Sequence, residues 1–303
     1  MIIVRLWGGL GNQMFQYAYG YSVAKRNATN LLLDTSFYTD EFIKSNPRFT
    51  NQEIKITDYS LCYSDTINAG AKIPLVPILH RKTINRIIRI PKHFSMRCGN
   101  RYRYIKETRF EYSKYLNTLM GNNLYLDGYW QSPKYFEKYA EEIREQFYVD
   151  EQPIVDEADR IGITQDDDSV AIHIRMGDYA MSKNIFVNGL YLLPFQYYKN
   201  AMNEIKRYMP SQNFYVFTND VEKARIVFED ISEITYANEE RRLSDLQEMH
   251  LMSMCKHQII ANSTYSWWAA WLNKNERKII CSPNIVFANK DIIPEDWKKI
   301  SIK

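Results

Sequence analysis

No run in this 303-residue chain approaches the roughly eighteen consecutive apolar residues that a membrane-spanning helix needs. Cysteine is scarce. Cys62, Cys98, Cys255 and Cys281 stand far apart with no C-x-x-C pair, which fits a reducing compartment better than a disulfide framework. Cys255 and His257 lack partners at zinc-ligand spacing, and neither a G-x-S-x-G elbow nor a P-loop occurs. Excess charge of one sign is also missing. With 39 basic against 36 acidic residues the formal net charge is +3, too even for a nucleic-acid binder judged by charge. The N-terminal residues run straight into a strand-like segment, with no basic stretch followed by a cleavable apolar one, so no signal peptide is read. Internal repeats and low-complexity tracts are absent. What remains is 45% hydrophobic and 14% aromatic, ample for packed cores and long enough for two domains.

The order of elements points to α/β architecture. Met1–Leu6 reads as a buried strand and Gly8–Gly11 as a tight loop. From Gln13 the apolar residues Met14, Tyr17, Ala18, Tyr21 and Ala24 take helical spacing, and Asn30–Asp34 reads as a second strand. Strand, glycine turn, helix and strand open a parallel sheet. The region from Tyr38 to Tyr125 is less regular. Within it, Arg81 to Arg109 holds ten Lys or Arg residues and a single acid, Glu107. Ser132–Phe147 is expected to be a helix and Asp150–Asp156 a linker.

The second half alternates cleanly. Strands are expected at Ser169–Arg175, Asn213–Thr218, Ile231–Ala237, Gln258–Ala261 and Lys278–Ser282. Helices are expected at Pro194–Tyr208, Val221–Phe228, from Ser244 to about Cys255, and at Ser266–Lys274. Ser244 with Gln247 makes a capping box. The expectation is two Rossmann-like domains, at 1–150 and 151–303, with a cleft between them. The final residues are left open to packing back on the first domain.

Four segments can carry chemistry at strand ends. "WGGLGNQMFQ" (Trp7 to Gln16) brings backbone and the amides of Asn12 and Gln13 to a helix start, without the dinucleotide fingerprint; a plain strand-to-helix turn explains the glycines about as well. "HIRMGDY" sets His173 and Arg175 on one face of a strand end, with Asp178 in the loop after it. Arginine is suited to bidentate phosphate binding; an Arg–Asp surface pair is the plainer reading. "FTND" places Asn219 and Asp220 where they can meet a ribose or sugar hydroxyl, or cap the next helix. "NSTYSWWAAW" leads a strand through Asn262, Ser263, Thr264 and Ser266 into a helix, giving hydroxyls and free N–H groups for an anion, or an elaborate N-cap. Trp267, Trp268 and Trp271 read as packing. Glu248 lies one turn into the helix opened by Ser244 and is not needed for capping, although a helical Glu is usually a solvated one. Asp166–Asp168 precedes a strand instead of following one, so it reads as a solvated loop and not a metal-binding D-x-D.

"GGLGNQMFQYA", "HIRMGDY", "FTND", "LMSMCKHQIIANSTYSWWAAWLN" and the closing "IIPEDWKKI" together resemble glycosyltransferase family eleven, the α-1,2-fucosyltransferases, in a short bacterial-type form. The resemblance covers nearly the whole chain in the expected order, and is weakest from Tyr38 to Tyr125. It implies a GT-B fold, no metal and no cofactor. GDP-fucose is the implied donor, and fucose is transferred with inversion to O2 of a galactose in an oligosaccharide or lipid-linked glycan. It implies Arg175 on the diphosphate, His173 near the guanine, and Asn219 and Asp220 on the ribose side. Asn262, Ser263, Thr264 and Ser266 match the phosphate loop, Glu248 the guanine-reading acid, and Asn12, with Gln13 beside it, the loop that approaches the fucose. The base is left open between Asp178 and a donor phosphate oxygen. Three positions depart from the family pattern: Met176 where a second arginine is usual, Asn188-Gly189 for His-Gly, and Glu248 for Asp.

The alternatives are a fucosyltransferase of another linkage or acceptor, and a non-catalytic nucleotide-sugar-binding protein of a glycan assembly complex. Residues 81–109 read either as a peripheral contact with the inner face of the cytoplasmic membrane or as a solvated, internally paired face. No nucleic-acid partner is expected.

Overall fold

A computed structural model describes residues 1–39, 53–67, 93–98, 102–176, 192–209, 211–240, 242–286 and 289–302, with the backbone alone for 93–98. Its contacts divide the chain into two units, Met1–Tyr148 and Val149–Lys303.

In the first unit, β1 (Ile2–Arg5) leads through Gly8 and Gly9 into α1 (Leu10–Arg26) and β2 (Leu31–Asp34). β3 (Asp65–Ile67), β4 (His93–Cys98), β5 (Tyr102–Glu107) and β6 (Leu124–Asp127) complete a sheet of order β3-β2-β1-β6-β5-β4. All its pairings are parallel except β4 with β5. α1 starts three residues before the helical apolar spacing does, because the Gly9 carbonyl accepts the N–H groups of Asn12 and Gln13. It is also more buried than an amphipathic reading allows. Phe15, Tyr19, Gly20 and Val23 are as deeply packed as Met14 and Tyr17. Its tyrosines carry their hydroxyls to partners on the far side: Tyr19 donates to Leu116 O (2.9 Å) and Tyr21 to Glu142 Oε2 (2.6 Å). Gly20 lets the helix lie close on the sheet, since a Cβ there would come within 2.9 Å of Val4 Cγ1.

The helix expected over Ser132–Phe147 is broken. Two 3-10 turns, Pro133–Tyr135 and Glu137–Tyr139, precede α2 (Ala140–Gln146). Tyr135 and Phe136, in the first of these turns and at its end, are both buried. The expected linker at Asp150–Asp156 is largely α3 (Gln152–Ile161): Pro153 opens its first turn instead of breaking it, and Gly162, at φ +88°, ends it.

The second unit continues with β7 (Val170–Ile174), α4 (Phe195–Lys206), β8 (Phe214–Thr218), α5 (Val221–Val227), β9 (Ile234–Tyr236) and α6 (Asp245–Met254). After these come β10 (His257–Ile259), α7 (Thr264–Leu272), β11 (Ile280–Pro283) and β12 (Lys298–Ile300). The strands pair entirely in parallel, in the order β12-β11-β10-β7-β8-β9. Such a sheet is covered on both faces, so its strands are continuous apolar runs; β7, β8 and β11 are buried at every position. The last strand, β12, extends this second sheet. From β7 the chain winds one way through β8 and β9, and from β10 the other way through β11 and β12. The β7/β10 junction is therefore a topological switch point, the place where doubly wound sheets bind ligands beyond their strand ends.

Candidate functional site

Arg175 leaves the carboxyl end of β7 at this junction, half-buried, one residue after the strand. Across the junction β10 exits through Asn262 and Ser263, both buried, into α7. Ser263 is the N-cap, its hydroxyl accepting from Tyr265 N at 3.3 Å. An arginine thus follows one strand where a helix N-terminus follows the parallel strand beside it, a combination suited to a diphosphate. Ser266 serves the loop instead of facing out: it is fully buried and donates to Ser263 O at 3.3 Å. Thr264 is nearly buried beside it.

His173 lies two residues before Arg175, buried, its ring 5.6 Å from that of Tyr265. Burial, and then the charge of Arg175, push its pKa down to about 3, so the imidazole is neutral at physiological pH. Its Nδ1 is buried with no hydrogen-bond partner among the described residues. The Tyr265 hydroxyl donates to Asp245 O at 2.6 Å, drawing the first turn of α6 toward the first turn of α7.

One strand further along, Asn219 follows β8. Its Oδ1 accepts the backbone N–H of Met176 at 2.8 Å, joining the exits of β7 and β8. Asp220 is the N-cap of α5, accepting from Lys223 N and pairing with Lys223 Nζ at 2.5 Å; the capping role is realised. Asn238, beyond β9, brackets the end of β8: its Oδ1 accepts from Thr218 N (3.2 Å) and its Nδ2 donates to Thr218 O (2.7 Å). Asn238 and the half-buried Glu248 line one small cavity with Ala237, Arg242 and Leu251. The Ser244–Gln247 capping box forms, which leaves the Glu248 carboxylate out of the cap. The site is graded along the sheet edge, with cation and helix terminus at β7/β10 and amides and an acid beyond β8 and β9.

In the first unit the carboxyl ends of β1 and β6 lie side by side. Gly8 has φ +82°, and a Cβ there would sit 2.6 Å from Asn12 Nδ2. Asn12 is half-buried at the start of α1, and its Oδ1 accepts from Gln131 Nε2 at 2.9 Å. Gln13 is wholly buried and committed to the fold. Its Nε2 donates to Gly8 O and Glu53 O, and its Oε1 accepts from Lys55 N and Ile56 N.

A family description, glycosyl transferase family 11, matches residues 1–301. The chain belongs to glycosyltransferase family 11. It is 30% identical over 296 residues to the O-antigen biosynthesis glycosyltransferase WbnK of Escherichia coli, covering 94% of this chain and 95% of that one. It is 28% identical to an α-1,2-colitosyltransferase of Escherichia coli, over 99% of both chains. Among solved structures, the fucosyltransferase NodZ from Bradyrhizobium superposes with a TM-score of 0.47 at 14% identity, over 89% of this chain and 92% of that one.

Of the residues singled out in this family 11 glycosyltransferase, Arg175, His173, Asn262, Ser263 and Thr264 come together at the β7/β10 junction, while Asn219, Asp220 and Glu248 gather one or two strands away. Asp178 and the Asn188-Gly189 pair lie outside the described residues, as does most of the basic stretch. Met176, in place of the family's second arginine, is buried in the apolar core. Asp166 accepts from Tyr215 and Asn213 side chains at the opposite, amino end of the sheet, as a loop residue. Trp267 and Trp268 are fully buried in packing. No helix among the described residues is long and apolar enough to cross a membrane. Sequence reasoning passed over Tyr265 and Asn238. The first stands inside the quoted phosphate-loop motif; the second follows a strand end, the signal that singled out Asn219.

Proposed function

We propose that this glycosyltransferase moves L-fucose from GDP-fucose to O2 of a terminal galactose, inverting the sugar, in a GT-B arrangement with the nucleotide on the second unit and the acceptor on the first. The observation that carries this reading is Arg175 opposite the N-terminus of α7 at the switch point of an all-parallel sheet. As the bond from sugar to GDP breaks, negative charge grows on the β-phosphate. A fixed guanidinium and the aligned N–H groups of α7 meet that charge without a metal or other cofactor. The neutral His173, and the polar groups of Asn238 and Glu248 beyond β9, suit the nucleoside end. The acceptor hydroxyl attacks the oxocarbenium-like carbon from the opposite face. Its proton passes to Asp178 or to a donor phosphate oxygen.

Kinship with an O-antigen enzyme supports a lipid-linked glycan acceptor handled on the cytoplasmic side. A second reading rests on the colitosyltransferase relative, which favours a colitosyl donor in the same site. The test is incubation of the purified protein with lactose and either GDP-fucose or GDP-colitose, with and without EDTA, the product linkage being read by NMR. A fucosyl-α-1,2-galactose product that survives EDTA is expected. Transfer from GDP-colitose alone would move the assignment to the second reading, and activity dependent on added Mn²⁺ or Mg²⁺ would overturn the metal-free mechanism.

A further inference from the structure

Glu107 is the single acid in the basic stretch from Arg81 to Arg109, and the fold takes it out of that stretch. It is the last residue of β5. Lys106 registers with Asp127 of β6, so Glu107 lies over Gly128, the first residue beyond that strand. The approach is close enough to require glycine: a Cβ at Gly128 would come 2.5 Å from Glu107 Cβ and 2.8 Å from Trp130 Cε2. One carboxylate oxygen, Oε2, accepts two backbone donors, Tyr129 N at 2.7 Å and Trp130 N at 3.0 Å. Trp130 is held at φ +57°, a conformation that costs a bulky residue on the order of 1–3 kcal/mol and persists only where its surroundings enforce it. The grip of Glu107 on two successive amides is such an enforcement. The other oxygen, Oε1, is buried and has no hydrogen-bond partner among the described residues.

The turn shaped in this way reaches the glycine loop after β1 at three points. The Tyr129 ring lies 4.0 Å from that of Trp7, Trp7 Nε1 donates to Gly128 O at 3.3 Å, and Gln131 Nε2 donates to Asn12 Oδ1 at 2.9 Å. Trp7, Tyr129 and Asn12 are all half-buried, so aromatic rings and a carboxamide remain partly open beyond the carboxyl ends of β1 and β6. Rings that cover C–H faces, with amides placed for hydroxyls, are the chemistry that recognises a pyranose.

We propose that Glu107 is a positioning residue for the acceptor sugar: by gripping the Tyr129 and Trp130 amides it sets the Gly128–Gln131 turn, whose Tyr129 joins Trp7 and the Asn12 that buried Gln131 holds in a pyranose subsite. The proposal rests on the reading that the first unit takes the acceptor. Burial of its carboxyl oxygens raises the half-buried Glu107 to about 7 against the pull of the two amides.

The test compares wild type with Glu107→Gln, Gly128→Ala and Gln131→Ala, using GDP-fucose and lactose. Glu107→Gln keeps the shape and weakens the grip. It should raise the lactose KM about tenfold or more, while kcat falls far less. Calorimetric affinity for GDP, which carries no sugar, should stay within about twofold. That readout would move with a general loss of structure and should not move here. Gly128→Ala, which drives a methyl into Glu107, should reproduce the pattern, and Gln131→Ala reads the subsite without touching the carboxylate should either of the others fail to fold. An unchanged lactose KM in the folded variants, or an equal fall in GDP affinity, overturns the inference. A wild-type protein that binds GDP yet fucosylates no galactose-ended acceptor overturns instead the reading beneath it.

Discussion

The side-chain oxygen of Asn219 accepts the backbone N–H of Met176 at 2.8 Å, a bond that joins the exits of β7 and β8. Asn219 follows β8, yet what it fixes is the chain just beyond Arg175. Replacing it with Ala leaves that N–H without its acceptor, a loss of about 1–3 kcal/mol if water cannot reach it. Asn219→Ala should therefore lower both the melting temperature and GDP affinity, whereas Asn219→Asp, which keeps an acceptor at the same place, should restore most of each. Calorimetry of GDP against the three proteins checks this. Equal losses for Ala and Asp would show that the amide nitrogen, not the oxygen, matters.

Arg175 is the cation at the switch point, and its role is in the transition state. Arg175→Ala should reduce kcat by at least ~10²-fold, in line with removal of one preorganised donor from a developing oxyanion. Arg175→Lys keeps the charge but loses the planar fork, so it should recover only part of the loss. His173 should remain neutral in either variant, because burial is the larger cause of its lowered pKa and the arginine charge the smaller. NMR titration of the imidazole reads that directly. A rate for Arg175→Ala above a third of wild type would remove Arg175 from the leaving group.

Glu248 tests how the nucleotide is read. Guanine offers N1–H and N2–H₂ as adjacent donors, which one carboxylate accepts together and adenine does not match. The capping box occupies Ser244 and Gln247, and Glu248 stands near Asn238 beyond β9. Charged hydrogen bonds of this kind are worth ~1.5–3 kcal/mol, so Glu248→Ala should weaken GDP binding roughly 10- to 150-fold. Unchanged GDP affinity, or the same loss on Asp245→Ala alone, would move the guanine contact elsewhere.

The second unit was legible because its physics is local. Strands buried on both faces are continuous apolar runs, and caps such as Ser244–Gln247 announce helix starts, so the polar residues that follow each strand stand out. The first unit hides more. α1 is buried all round and its tyrosines satisfy their hydroxyls through partners some 100 residues away in sequence, so periodicity marks only one face of it. Gln13 looked like a ligand-facing amide beside Asn12, but the segment at 53–56, distant in sequence, uses up its hydrogen bonds. Pro153 reads as a breaker until the turn it opens is seen. Glu107 was visible as a lone acid among cations. That it would meet Gly128 depends on β5 pairing with β6, a long-range register that spacing along the chain does not contain.

That register has a consequence for stability. The Glu107 carboxyl ordinarily titrates near 4.5 and is raised to about 7 in the folded chain, first by burial and also by the nearby charge of Asp127, against the two amide donors. Between those values the folded protein holds a proton that the unfolded chain has released. The favourable contribution of this group is therefore complete below about 4.5 and is lost as pH rises through about 7, a change of no more than ~3 kcal/mol. Glu107→Gln has no such proton to lose. Its stability relative to wild type should climb between about pH 5 and pH 8, as measured by urea unfolding at each pH. The stronger acceptance by the ionised carboxylate is already part of its folded-state pKa, so only the difference in shape between amide and acid adds an offset that is constant with pH. A relative stability flat across the range would mean that the carboxylate titrates as it does in water, and that the enclosure of Glu107 beneath the Gly128–Gln131 turn is looser than its contacts indicate.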